Sequence, residues 1–331
     1  MMRSRRLFTL SLLFGISTCL STAFPQQKIA QTGFQFLSVG TDARATAMGE
    51  AVTTQEGSPM ALFYNPAGMA RVESFIEFSA NHMQWLSGID YFTSVLSVRP
   101  SHGEYGVLGV SFMFVDYGNI IGTVVAANEQ GFVETGNISP NAYALGFGYS
   151  KALTDRFAVG GQIKYVKQSL GNLAFPTTDS TQSKLNFSAD VFAFDFGTIY
   201  RTGFKSLSFG MTIRNFSRQI NYINEDFELP LTFKIGFSID AFDFVDGLEN
   251  QSFLVTFDAV NPRSFQEFFS IGGEYKFMDT LSLRAGYVAN QDDYDFTAGF
   301  GLNIYKMNFD YSFTPFNTFE NVHRFSIKFK L

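Results

Sequence analysis

The sequence predicts an all-β transmembrane barrel of about fourteen antiparallel strands, with short N-terminal helices plugging its lumen. Three observations carry this expectation. The chain alternates large apolar and polar residues from about Ser74 to its end. The alternating segments are longer than ordinary soluble strands. Their connections are long and short by turns.

The alternation is clearest in "PLTFKIGFSID", where Leu231, Phe233, Ile235, Phe237 and Ile239 oppose Thr232, Lys234, Gly236, Ser238 and Asp240. "SLSFGMTIR" sets Leu207, Phe209, Met211 and Ile213 against Ser206, Ser208, Gly210, Thr212 and Arg214. "HRFSIKFKL" closes the chain in the same way, with Phe325, Ile327, Phe329 and Leu331 opposite Arg324, Ser326, Lys328 and Lys330. A period of two is a strand with one oily and one wet face. A soluble sandwich gives the same local pattern. Length argues against it: most segments run about 10 to 16 residues, whereas a soluble strand averages about 5 or 6 and a tilted membrane strand needs about 9 to 11. The wet face, rich in Gly, Ser, Asn and charge, suits a hydrated lumen. Tyr and Phe near the strand ends suit an aromatic girdle.

Fourteen segments carry the pattern, near 74–82, 89–100, 104–116, 139–152, 154–169, 183–201, 205–216, 228–241, 250–261, 265–277, 279–290, 293–304, 305–314 and 320–331. The joins after the third, fifth and seventh are long and polar, and those such as "LTDR" and "MDT" are tight. Outer-membrane barrels place long loops outside and short turns inside. That parity puts both termini in the periplasm, with "AFDFVDGLEN" an exception, long on the short side. A closed barrel satisfies its ladder without an edge.

Composition agrees. The 331 residues include 41 Phe and 14 Tyr, types that suit a pleated surface. A net charge of −6 argues against nucleic acid as a partner. Residues 1–23 have the form of a signal peptide: Arg3, Arg5 and Arg6, then an apolar run over 7–20, then Ser21 and Ala23 ahead of a cut before Phe24. A membrane anchor is the alternative, and the run is short for one. Cys19, the single cysteine, raises a lipoprotein reading that Thr18 before it disfavours. Without it the mature chain has neither disulfide nor thiolate metal site.

Between the leader and the barrel (residues 73–331), residues 24–72 form a plug or hatch segment. Thr41 or Asp42 caps a short helix through "ARATAMGEA", a plug helix with Asp42, Arg44, Met48 and Gly49 as its candidate functional positions. In "SPMALFYNPAGMARV", Ser58 is an N-cap with Pro59 at the first helical position. Pro66 then stops that helix, and Gly68 turns the chain towards the first strand. These helices hang in the periplasm or fold back into the lumen. Met60, Leu62, Phe63 and Met69 favour the lumen.

These two stretches carry a resemblance. "GTDARATAMGEAVTT" followed by "ALFYNPAGMARV" resembles the N-terminal signature of the PorV/PorQ family, and "NPAG" is similar to the Asn-Pro-Ala hatch motif of FadL-type fatty-acid transporters. The resemblance implies a FadL-like, fourteen-stranded outer-membrane barrel that is no enzyme and holds no cofactor. It implies a role in the type IX secretion system, binding secreted cargo, its C-terminal signal domain or the translocon. The alternative it implies is a FadL-like channel for uptake of hydrophobic small molecules, with Phe63, Tyr64, Asn65, Pro66, Ala67, Gly68 and Met69 as hatch and candidate ligand-contacting motif. A purely structural barrel is a third reading. The partners expected are outer-membrane lipid, secretion components or cargo, and an apolar ligand.

Other chemistry has weak support. His82 and Asp90 are expected as neighbours across the first hairpin, two polar residues at the rim rather than a hydrolase pair. The acidic runs at Glu225, Asp226 and Glu228, and at Asp292, Asp293 and Asp295, are expected to be solvated loops; calcium is the alternative. His82, His102 and His323 are scattered, and no metal site is expected. Lys234, Lys276, Arg284, Lys328 and Lys330 fall on the lumen face and are expected to pair there with Asp240, Glu274, Asp310 or the plug's Asp42.

Overall fold

The structure, a computed structural model, describes residues 32–176, 182–222, 225–248, 250–291 and 293–331. The leader, residues 1–23, and Asp292 lie outside the described residues.

All fourteen expected segments are barrel strands. They are β1 (Ile76–Gln84), β2 (Asp90–Val98), β3 (Val107–Asp116), β4 (Asn141–Ala152), β5 (Phe157–Pro176), β6 (Gln182–Arg201) and β7 (Ser208–Ser217), then β8 (Thr232–Asp240), β9 (Gln251–Pro262), β10 (Phe268–Phe277), β11 (Leu281–Ala289), β12 (Phe296–Ile304), β13 (Met307–Thr314) and β14 (Val322–Lys330). Each pairs antiparallel with its sequence neighbours, and β14 closes on β1 with Ala80 opposite Ile327 and His82 opposite Phe325. Two small hairpins stand off the barrel in the β3–β4 and β7–β8 joins, at Ile120–Val125 with Phe132–Ile138 and at Ile220–Tyr222 with Glu225–Phe227. The long β8–β9 join is anchored beneath the wall: Asp243 accepts from the Ser206 amide at 2.8 Å, in the β6–β7 turn.

The faces follow the alternation. Phe92, Phe147, Phe192 and Phe325 are each about half exposed or more, as expected of side chains that meet lipid. Lys234, Asp258, Glu274, Arg284 and Arg324 are buried on the inside. No helix of the described residues is long and apolar enough to cross a membrane.

Residues 34–72 fill the lumen. Four short pieces appear where two helices are expected: 3-10 turns at Gln35–Ser38, Pro59–Phe63 and Pro66–Arg71, and one α-helix, α1, at Ala43–Ala47. Asp42 caps α1 through Oδ2 to the Ala45 amide, and Ser58 caps the turn at Pro59, both as expected. Pro66 stops the preceding turn as expected, with Asn65 held extended at φ −141°, and has a second part besides. It opens a turn of its own, with Asn65 as N-cap, because a residue that ends one helix is also suited to the first position of the next. Gly68 lies inside that turn without a positive φ. Its lack of a side chain is needed for packing, since a Cβ there would overlap the Gln55 carbonyl.

The plug runs the height of the lumen. Thr32 bridges to Glu228 in the β7–β8 join and its hydroxyl lies 2.5 Å from Ser264 Oγ in the β9–β10 join, both at the long-join end. At the other end Arg71 Nη2 donates to the Asp155 carbonyl in the tight β4–β5 turn. The start of β1 and Leu331 share the short-turn end, where the Leu331 amide bonds the Ile76 carbonyl. Thr32 is at the opposite end, because strand parity says nothing of a segment threaded through the lumen.

Candidate functional site

The site is the contact between plug and wall. It begins with glycine. Gly109, Gly160, Gly197, Gly210, Gly272 and Gly286 point inward from six strands, and a Cβ at each would strike the plug. At Gly160 it would meet the backbone of Pro66 and Ala67, at Gly210 the Thr53 carbonyl, at Gly272 the Met48 carbonyl. The wet face of the alternation is rich in glycine because plug backbone lies directly on the sheet.

Around these contacts, polar side chains of the wall satisfy plug backbone groups, which must be paired once buried. Asp258 Oδ2 on β9 accepts from the Val52 amide at 3.0 Å, the Thr53 amide at 3.1 Å and the Thr53 hydroxyl at 2.6 Å. Thr297 on β12 accepts from the Gly49 amide and donates to the Ala47 carbonyl. Ser326 on β14 accepts from the Ala43 amide at 2.8 Å, and Arg324 Nε donates to the Gly40 carbonyl at 2.9 Å.

The charged centre is Glu274 on β10, fully buried. Arg44 of α1 grips it with Nε to Oε2 at 2.9 Å and Nη2 to Oε1 at 2.8 Å. Arg284 on β11 donates to the same Oε2 at 2.6 Å and to Asp310 on β13 at 2.6 Å. Lys276 lies 3.4 Å from Oε1. Burial works against the charge on Arg44, but the Glu274 carboxylate outweighs it and holds the guanidinium above its ordinary range. Of the lumen cations expected to pair, Lys276 and Arg284 do so through this centre. Lys234 sits 3.7 Å from the plug's Glu50, and Lys330 3.4 Å from Glu73. Asp240 takes no part: it accepts from the Phe242 and Phe253 amides at the strand end.

Asp42, Arg44, Met48 and Gly49 thus meet the wall between β9 and β14. The motif at residues 63–69 lies across the lumen. Asn65, 1% exposed, has three partners: Nδ2 donates to the Thr53 carbonyl at 2.7 Å and to the Thr198 carbonyl of β6 at 3.2 Å, and Oδ1 accepts from the Ala67 amide. Ser150 on β4 donates to the Pro66 carbonyl. Phe63, Tyr64 and Met69 pack in the apolar core with Phe34, Phe36, Met83 and Met113. The two halves join where the Asp42 amide donates to the Tyr64 hydroxyl at 3.2 Å. Burial raises the Tyr64 phenol well above its ordinary value, aided by the charges of Glu50 and Asp42. Sequence reasoning missed Asp258 and Thr297; their polar side chains, in phase with the inward face of each strand, were the available signal.

The lumen is thus apolar towards the long joins and more polar towards the short turns. Two cavities flank Arg44 and Glu56 there, a polar one of about 450 Å³ and a mixed one of about 400 Å³ that Met48, Val52 and Leu254 also line. Glu56 bridges Arg71 at 2.6 Å and Arg201 at 2.7 Å. Elsewhere, His82 Nε2 lies 3.5 Å from Asp90 across the first hairpin, neighbours as expected. Asp226 bonds Asn221, and Glu228 pairs with Arg263. Among the described residues no three His, Cys, Asp or Glu are grouped to hold a metal.

Burial raises the Asp42 carboxyl above its ordinary 3.8, and the neighbouring Asp310 adds to the rise. A raised folded value means that the docked plug binds the proton more tightly, so this group's contribution favours docking at low pH. It is lost as pH climbs from about 3.8 through the raised docked value. The expected result is that wild type protects its plug from protease better at pH 4 than at pH 7, relative to Asp42→Asn, whose protection lacks this component. Equal pH profiles for the two proteins would refute it.

No curated protein matches the chain. Among solved structures it is similar to the Ralstonia pickettii toluene transporter TbuX, at 14% identity and TM-score 0.58, covering 88% of this chain and 98% of that one. It is similar also to the Pseudomonas putida toluene transporter TodX, at 15% identity and TM-score 0.55, covering 92% and 98%. At such identities the likeness shows the fold alone: a FadL-like outer-membrane barrel, as the N-terminal signature implied. The family model described as "Type IX secretion system protein PorV" matches residues 22–258, well over half of the chain. The chain belongs to the PorV family of type IX secretion system proteins, as an outer-membrane β-barrel.

Proposed function

We propose that this chain is a closed barrel of the type IX secretion system that works with its outer surfaces. It receives secreted proteins through their C-terminal signal domains, or docks the translocon, while its lumen stays shut. One observation carries the closed half of this reading: the plug threads the whole lumen and bonds to both sides of the wall, through Asn65 at β6 and Arg44 at β10. Family membership supports the secretion half. We assign it no catalytic activity and no cofactor. The long joins support an orientation with Leu331 in the periplasm and the 117–140 join outside.

The test is capture from solubilised outer membranes through a tag in the 117–140 join. Recovery of a large translocon protein or of C-terminal signal domains is expected, as is labelling of that tag on intact cells. Recovery of neither would sink the reading. A second reading, a channel for hydrophobic small molecules, draws on the apolar half of the lumen around Phe63 and Met69. Its own test is binding of a monoaromatic hydrocarbon that is abolished by Met69→Lys.

A further inference from the structure

We propose that the outer face at the seam of β1, β2 and β12–β14 holds one glycolipid, with an acyl chain in a depression and its sugar against a polar rim. The depression is about 650 Å³ and almost wholly apolar. It arises because Ala80, a small residue on the outward face, is surrounded by Phe92, Phe300, Phe309 and Phe325. Ala80 pairs with Ser94 on β2 and Ile327 on β14, so the shallow spot lies at the closing seam. Outward positions such as Leu145 and Phe147 carry large side chains. Small ones also occur at the Ala285–Ala298 pair, but it is Ala80 that four phenylalanines and a polar rim surround.

One end of this depression is polar, and only the end near the long joins. His82 sits directly above Ala80 on its strand, its ring 4.6 Å from that of Phe92 and its Nε2 3.5 Å from Asp90. Across the seam Tyr311 Oη is 2.7 Å from His323 Nδ1. If the phenol donates that bond, His323 Nε2 carries the proton and points a free donor outward. These four side chains are outward-facing, where ionisable groups are costly against lipid and mark a binding site. An amphiphile with its chain below and its headgroup above matches the arrangement.

The rim also selects the headgroup. Neither the depression nor its rim includes Lys or Arg; the rim holds the Asp90 carboxylate and the His82 and His323 imidazoles, and the other carboxylate at the depression, Asp310, is paired with Arg284. A phosphate would meet Asp90 without a cation to offset it. Sugar hydroxyls donate to carboxylates and accept from imidazole and phenol, so they use every group present.

The test is native mass spectrometry of the full chain in amine-oxide detergent, with monoglucosyl diacylglycerol against phosphatidylglycerol of the same chains as probes. One glucosyl lipid is expected to bind, at least tenfold tighter than phosphatidylglycerol. Ala80→Trp, which fills the depression, is expected to weaken it at least tenfold, while Leu145→Trp, equally bulky but on β4 and outside the depression, leaves it unchanged. Should Ala80→Trp fail to fold, His323→Ala decides: a fivefold or greater loss of preference for the glucosyl lipid supports the site. Equal binding of the two lipids, wild-type binding by Ala80→Trp or unchanged preference in His323→Ala would overturn it. So would a membrane protein that stays on this face and excludes the lipid. None of these outcomes depends on whether the barrel captures cargo.

Discussion

Glu274→Ala is expected to undock the plug while leaving the barrel closed. Glu274 is the single anion between Arg44 of α1, Arg284 and Lys276. Its removal leaves Arg44 with no carboxylate to grip, and Arg284 with Asp310 alone. Breaking a buried ion pair from one side costs about 3–5 kcal/mol, since the partner charge remains buried. Because the wall strands keep their ladders, that loss falls on docking and lowers the ratio of docked to undocked plug by about two to three and a half powers of ten. Planar-bilayer conductance should rise from near zero to an open-lumen level, and protease should cut within residues 39–58. Heat-modifiable migration on gels should still report a closed barrel. Glu274→Gln, which keeps the shape and two acceptor or donor groups, should fall between the two. A folded Glu274→Ala barrel with wild-type conductance and protection would show that the plug is held without this charge.

The wall was legible in the sequence and the plug only partly so. Alternation is a consequence of strand geometry and needs no distant partner, so every barrel strand is found near its expected place. The largest error is at β5, which continues to Pro176 rather than ending near 169. A register shift between Ser169 and Gly171 breaks the alternation there, and the hairpin goes on beyond it. In the plug, caps at Asp42 and Ser58 were visible because capping is local. What holds the plug was not, because Asp258 and Thr53 are separated by 205 residues and Arg44 and Glu274 by 230. Inward glycines showed as composition, and their reason became clear only once plug backbone was seen against them.

The strongest single contact to test in this way is between Asn65 and Gly197. A Cβ on residue 197 would overlap Asn65 Oδ1, so Gly197→Ala must push the amide away from the Thr53 and Thr198 carbonyls. Asn65→Ala removes the same bonds directly and leaves two buried carbonyls and the Ala67 amide short of a partner. At about 1–3 kcal/mol for each unsatisfied buried group, with part recovered by relaxation, either change should cost the docked plug about 2–4 kcal/mol. If the two residues act through one contact, their effects should not add: in Asn65→Ala the side chain that blocks residue 197 is already gone, so a methyl added there meets little. A double-mutant cycle on plug protection from protease should therefore give an interaction of about 1–3 kcal/mol, against near zero for independent sites. Additive losses would mean that Gly197 is needed for something other than the approach of Asn65. An undiminished plug in Asn65→Ala would remove the motif from the docking machinery, and would leave its place beside Phe63 and Met69 to be explained by a ligand.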